Sequence, residues 1–157
     1  SDQSLFPIDS AFKRRWAWNY VKIADAYKKD DEGKFERDEN GERIRLAWSI
    51  ECEGYSCDWW KFIDEINKRI STATSSDDKK LGYFFCKPQK NTTVINAESF
   101  VGKVVFYLWN DVFKDYSKDA TNAFGSSLTY SSFFDAKGNV INGVINTFMT
   151  LNNVPHL

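Results

Sequence analysis

The stretch AESFVGKVVFYLWNDVFKDY, Ala97 to Tyr116, limits the possible folds more than any other part of the chain. Val101, Val105, Leu108 and Val112 recur at helical spacing as one apolar stripe, and Phe100, Val104, Trp109 and Phe113 form a second. A helix that is apolar over more than half its circumference must be buried on two sides, so the remaining residues have to supply its partners. Aromatic residues can do so: they make up 17% of the 157 positions, with 6 Trp, 7 Tyr and 13 Phe, and each large ring buries roughly 150–250 Å². The length suits one domain with a real core, or a piece of a larger one.

Residues 8–15 read as one or two helical turns, with Pro7 tolerated at the start and Asp9 or Ser10 available as cap. WAWNYVKI, Trp16 to Ile23, alternates ring and polar residue like a half-buried strand. Charge and turn formers dominate residues 24–45, where DDEG and DENGE mark two reversals before RIRLAWSIE resumes a strand pattern. This stretch reads as a β-hairpin with a type I′ turn at Asn40-Gly41, the alternative being a solvated loop. From Asp58 the spacing of Trp59, Ile63, Ile66 and Ile70 predicts a helix capped by Asp58 or Ser56. STATSSDDKK is a polar connector, and LGYFFCKP a short buried extended piece stopped by Pro88. The tail carries KGNVING turns and two apolar segments, LTYSSFF and VINTFMTL, and no internal repeat is visible. The fold class is α+β, mainly helical.

The net charge is -1 with 27% charged residues, so no global field draws the chain to nucleic acid or acidic lipid, and any such binding has to be local. Three cysteines, Cys52, Cys57 and Cys86, and a single histidine, His156, are too few and too badly spaced for a zinc site. Reduced thiols, and the lack of an apolar run of about 20 residues, point to a soluble cytoplasmic protein with no membrane partner. Gly138 and Gly143 have P-loop spacing, but Val144 and Ile145 stand where the lysine and hydroxyl are needed. There is no H-E-x-x-H, no G-x-S-x-G and no histidine placed to serve a nucleophile. Asp30-Asp31 and Asp77-Asp78 sit in hydrophilic connectors and read as turn residues. Trp16, Trp18, Trp59, Trp60 and Trp109 lie among Ile, Val and Phe and read as core, not as a stacking platform. Trp48 and the charged hairpin from Lys28 to Arg45 suit a partner-contacting insertion, with nothing in the spacing to name the partner.

The segment SDQSLFPIDSAFKRRWAWNYVKI resembles the part of AAA+ nucleotide hydrolases, in the McrB-like branch of restriction-associated motors, that runs from just after sensor 1 to the last core strand. Ile66–Ile70 (I-N-K-R-I), Asp78–Phe85 and Phe100–Asp115 resemble the same family in order, so that the likeness covers roughly residues 1 to 116. It implies residues 1–23 as the end of the AAA+ core, 24–56 as the β-hairpin insertion and 57–157 as a helical lid subdomain with a variable tail. Walker A, Walker B and the sensor 1 asparagine would precede Ser1, making the chain a fragment that is inactive by itself.

Under that resemblance Arg14 and Arg15 occupy the arginine-finger positions, where a planar, permanently charged guanidinium reaches the γ-phosphate of the nucleotide held by a neighbouring subunit. The competing role for either arginine is an ion pair with a carboxylate such as Asp9. Lys79 and Lys80, with Gly82 after them, stand where a lid supplies its sensor 2 cation, although no arginine is present there; the alternative is two solvated lysines in a polar connector. The implied cofactor is GTP or ATP with Mg2+ in the intact protein. The implied partners are neighbouring AAA+ subunits in a ring and a nuclease subunit, with DNA met only indirectly. The alternative function is a noncatalytic protein-interaction domain built on the lid scaffold.

Overall fold

A computed structural model describes residues 26–75, 78–114 and 122–157. The helical turns expected over 8–15 and the strand over 16–23 lie outside the described residues. Strands β1 (Ser49–Cys52) and β2 (Tyr55–Asp58) form an antiparallel hairpin, and β3 (Val94–Asn96) pairs parallel to β1 on its other side. The register aligns Cys57, Ile50 and Ile95 across the sheet. All three are fully buried, whereas Glu51, the next residue on β1, is exposed as a period of two requires.

Helix α1 (Trp59–Thr74) follows β2 directly. Asp58 caps it by accepting the Lys61 N–H at 2.9 Å, and Ser75 ends it in the left-handed conformation with its own N–H on the Ser71 carbonyl. Trp59, Phe62, Ile63, Ile66 and Ile70 are its buried side, as the spacing predicts. Helix α3 (Asn142–Leu151) arises from the VINTFMTL segment and buries Ile145, Phe148 and Met149.

Helix α2 (97–112) forms where the double apolar stripe lies, but most of it is not α-helical. Ala97–Ser99 is a single α turn capped by Asn96, after which Phe100–Val105 and Leu108–Val112 adopt π geometry. The Phe113 N–H accordingly reaches back five residues to the Leu108 carbonyl at 2.8 Å. The apolar pairs Phe100-Val101, Val104-Val105, Leu108-Trp109 and Val112-Phe113 repeat every four residues. In an α-helix such a repeat rotates away by roughly 40° per step. Widening the turn keeps the pairs facing the core, and Phe100, Val101, Val104, Val105, Leu108, Val112 and Phe113 are all buried.

The charged stretch 27–45 folds into a small antiparallel ribbon through the cross-strand pairs Tyr27↔Arg45, Lys29↔Phe35 and Arg37↔Arg43. Its two reversals, DDEGK and DENGE, share one geometry with DAKGN at Asp135–Asn139. In each, the aspartate side chain accepts the N–H groups two and four residues on, and the glycine takes a φ between 81° and 85°. The Asn40-Gly41 turn is therefore not type I′, which needs positive φ at both central residues; Gly41 alone has it, giving the five-residue turn that ends in a left-handed glycine. A short structural motif thus recurs three times although no longer repeat exists.

Five phenylalanines join the layers. Phe148 of α3 lies 6.3 Å from Phe62 of α1, 6.4 Å from Phe100 of α2, and 5.2 and 5.6 Å from Phe124 and Phe133. Phe148→Ala is expected to cost about 3–5 kcal/mol, read as a fall in the urea midpoint at constant slope, because the cavity opens where three helices meet. Gly138→Ala, whose new Cβ would meet nothing within 4 Å, is expected to cost about 1–2 kcal/mol from backbone strain alone. Thermal unfolding of the two variants separates the packing effect from the conformational one.

Candidate functional site: the lysine strap between two helices

Residues 78–86 run as a strap from α1 to the side of α2, and hydrogen bonds fix it from both helices. Asn67 of α1 clamps one residue: its Oδ1 accepts the Leu81 N–H at 2.7 Å while its Nδ2 donates to the Leu81 carbonyl at 2.9 Å. Trp59 donates its indole N–H to the Tyr83 carbonyl at 2.7 Å. The Tyr83 hydroxyl accepts the Trp48 N–H at 3.1 Å, with the two rings 4.8 Å apart. Each of these polar groups is buried or half-buried, where an unmade bond would cost about 1–3 kcal/mol.

From the α2 side, the Tyr107 hydroxyl donates to the Lys79 carbonyl at 3.1 Å, and the Lys79 ammonium donates to the Asp111 carbonyl at 2.5 Å. Burial pushes the Tyr107 and Tyr83 phenols up to about 12, so both stay protonated at neutral pH. Asp111 lies in the last turn of α2, where the exposed carbonyls carry the negative end of the helix dipole. Arg69 does the same for α3, donating to the Leu151 carbonyl at 2.7 Å.

The strap therefore holds together three of the five site residues expected from the sequence, Lys79, Lys80 and Gly82. Lys79 spends one of its three ammonium donors on α2. Lys80 follows it, half-exposed, and Gly82 is buried just before the 3-10 turn Tyr83–Phe85. That turn replaces the extended conformation expected for LGYFFCKP. Gly82 has φ of -89° and ψ of 165°, a conformation open to any residue, so its backbone does not demand glycine. Arg14 and Arg15 lie outside the described residues.

A hollow of about 390 Å³ opens beside the strap, lined by Phe84, Cys86, Lys87, Ser99, Gly102 and Lys103. Its volume is that of a small-molecule pocket, about 300–1,000 Å³, and Lys87, Lys103 and Ser99 supply the polar part of a mainly apolar lining. The signal for it lay in the spacing of Ser99, Gly102 and Lys103, which stand i, i+3 and i+4 on one helix, across from Lys87 after the strap. No phosphate-binding signature has this form.

The thiols do not offer nucleophilic chemistry. Burial raises Cys52 and Cys86 above the ordinary thiol range and pushes Cys57 up to about 11, leaving all three protonated. Among the described residues no group of three His, Cys, Asp or Glu side chains is placed to hold a metal ion. Nor is any described helix long and apolar enough to cross a membrane.

No family model matches the chain, and no solved structure does. Among curated proteins it is 33% identical over 114 residues to YdiS, a component of the type II restriction enzyme BsuMI of Bacillus subtilis (strain 168). The match takes in 73% of this chain and 29% of YdiS, so the chain spans less than a third of that relative's length. The strap and its lysines thus sit in a chain related to a restriction-enzyme component.

Proposed function

We propose that the chain works in a restriction system as the C-terminal part of a nucleotide-hydrolysing motor of the McrB-like AAA+ type, contributing the arginine finger and the lid. The observation that carries the restriction role is the 33% identity over 114 residues to the BsuMI component. Support for the motor comes from the SLFPIDSAFKRRW segment and the ordered family-like segments at Ile66–Ile70, Asp78–Phe85 and Phe100–Asp115. In this reading Arg14 or Arg15 stabilises the charge that develops on the γ-phosphate of a nucleotide bound by the neighbouring subunit. GTP or ATP with Mg2+ supplies the phosphoryl group; among the described residues no group of three His, Cys, Asp or Glu side chains is placed to hold that ion.

The lid role falls to α1, α2 and the strap. Lys79 and Lys80 offer cations to the nucleotide of their own subunit, and the clamp of Asn67 on Leu81 keeps that backbone from shifting as the lid moves. Lys79 keeps its bond to the Asp111 carbonyl, which anchors the start of the strap beside Lys80. The partners are neighbouring motor subunits and a nuclease subunit.

The test is nucleotide turnover by the intact protein at saturating GTP or ATP. Arg14→Ala or Arg15→Ala, whichever is the finger, is expected to lower kcat by about 10³–10⁵ with little change in nucleotide binding, since the finger acts on a neighbour's transition state. Wild-type turnover in both variants would remove the finger assignment and leave only the restriction relation.

A further inference from the structure

The ribbon over 27–45 adds nothing to the hydrophobic core: every residue in it is exposed or only half-buried. Its pairs Tyr27↔Arg45, Lys29↔Phe35 and Arg37↔Arg43 are each flanked by backbone hydrogen bonds, from Lys28 to Ile44, Leu46 to Ala26, Asp30 to Lys34, Glu36 to Lys28, Asp38 to Glu42 and Ile44 to Glu36. Paired side chains of this kind leave a ribbon on one face. That face consequently carries Lys29, Arg37, Arg43 and Arg45 with Tyr27 and Phe35, and no acid.

Ring contacts agree with the register. The Arg43 guanidinium lies 4.0 Å from the Phe35 centroid and 5.7 Å from Tyr27, the Lys29 ammonium 5.1 Å from Phe35, and the Arg45 guanidinium 4.7 Å from Trp60 on α1. Tyr27 and Phe35 meet edge to face at 6.2 Å. The intervening positions, on the other face, are Lys28, Asp30, Lys34, Glu36, Asp38, Glu42 and Ile44. Four carboxylates stand there, two of them occupied in turns. A stretch of mixed charge is thus sorted by strand alternation into a cationic face and an acidic one.

All four cations are exposed. Among the described residues no carboxylate comes within ion-pair distance of them; the one ion pair inside the ribbon is Lys34 with Glu32, at 3.9 Å. Arg37 and Arg43 are paired across the strands, and like charges at such positions repel, even with the Arg37 guanidinium donating to the Gly41 carbonyl at 2.8 Å and that of Arg43 over Phe35. A polyanion laid across the face would reverse the sign of that interaction.

We propose that this face binds double-stranded DNA through its phosphates, without reading the base sequence. The rings lie beneath Arg43 and Lys29, so they orient cations and are not free to stack on unpaired bases. Guanidinium forks suit phosphate oxygens. The three short segments bond to one another in turn, so the cations form a compact patch suited to the phosphates along a groove's edge and not to entry into the groove. The proposal goes beyond the nucleotide reading and stands or falls without it, since neither nucleotide nor Arg14 and Arg15 enter its test.

The experiment is fluorescence anisotropy of the chain with a labelled duplex of about 30 base pairs and arbitrary sequence, between roughly 50 and 200 mM KCl. The expected result is binding that weakens with salt and is equal for a second duplex of shuffled sequence. Arg37→Gln with Arg43→Gln should weaken binding at least about tenfold at low salt and make the log K against log salt slope shallower by about two. Lys28→Gln with Lys34→Gln, on the acidic face, should leave affinity within about twofold, whereas each loss of a phosphate contact lowers the slope by about one. Circular dichroism checks that the variants fold; if the arginine pair does not, Lys29→Gln carries the same prediction with a slope change of about one. No duplex binding by the folded chain, or equal losses from the two faces, overturns the proposal. Binding of polyglutamate that requires Arg37 and Arg43, with no binding of duplex, overturns it in favour of an acidic protein partner.

Discussion

The contact on which the rest of the structure depends is the meeting of Phe148 with the rings of Phe62, Phe100, Phe124 and Phe133. Each helix is amphipathic or apolar and gains stability only when its buried side finds another. Phe148 touches one ring from each of the other two helices and two from the segment before α3, so a single side chain couples elements distant in sequence. The edge-to-face pairs at Phe62–Phe100 and Phe133–Phe148 add aromatic electrostatics to burial. The short sheet, with one buried row of Cys57, Ile50 and Ile95, would be too small to organise the chain by itself.

On this packed base, polar groups determine where the strap lies. Lys79 on Asp111 and Arg69 on Leu151 are the same device, a cation from another element resting on the carbonyls at a helix end. Each bond removes an orphan carbonyl and favours one position of the donor's own segment. For Lys79 this ties the proposed phosphate site mechanically to α2. A shift of α2 would carry the strap with it, while Asn67 transmits the same constraint to α1.

Local signals proved legible in the sequence where one physical rule acted alone. The spacing of Trp59, Ile63, Ile66 and Ile70 indicated α1 and its buried side, and Asp58 was one of the two caps considered. The π geometry of α2 is present in the repeat of four between apolar pairs, which lies so close to 3.6 that both periods mark a helix and only their difference marks the wider turn. At Asn40-Gly41 the dipeptide suggested a type I′ turn, whereas the earlier Asp38, which accepts the Asn40 and Glu42 N–H groups, selects another. The Asp111 contact of Lys79 was not legible, since 32 residues separate the partners and no periodicity connects them. The hollow beside Lys87 and Lys103 was only half legible: the spacing of Ser99, Gly102 and Lys103 marks one wall, while Phe84, Cys86 and Lys87 on the other element have no periodic relation to it.

The ribbon shows why net charge is a poor guide to what a surface meets. Summed over the chain the charge is -1, and within 27–45 acids and bases nearly cancel. Strand alternation has a period of two, however, and on the three paired segments it puts Lys29, Arg37, Arg43 and Arg45 on one side and Asp30, Glu36, Asp38 and Glu42 on the other. At a Debye length of about 8 Å a ligand lying on one face is governed by that face's charges more than by the total. Segregation also brings Arg37 opposite Arg43, a pairing that stability alone disfavours. A fold that keeps such a pair exposed on an element outside its core leaves the pair's consequence to whatever anion approaches it.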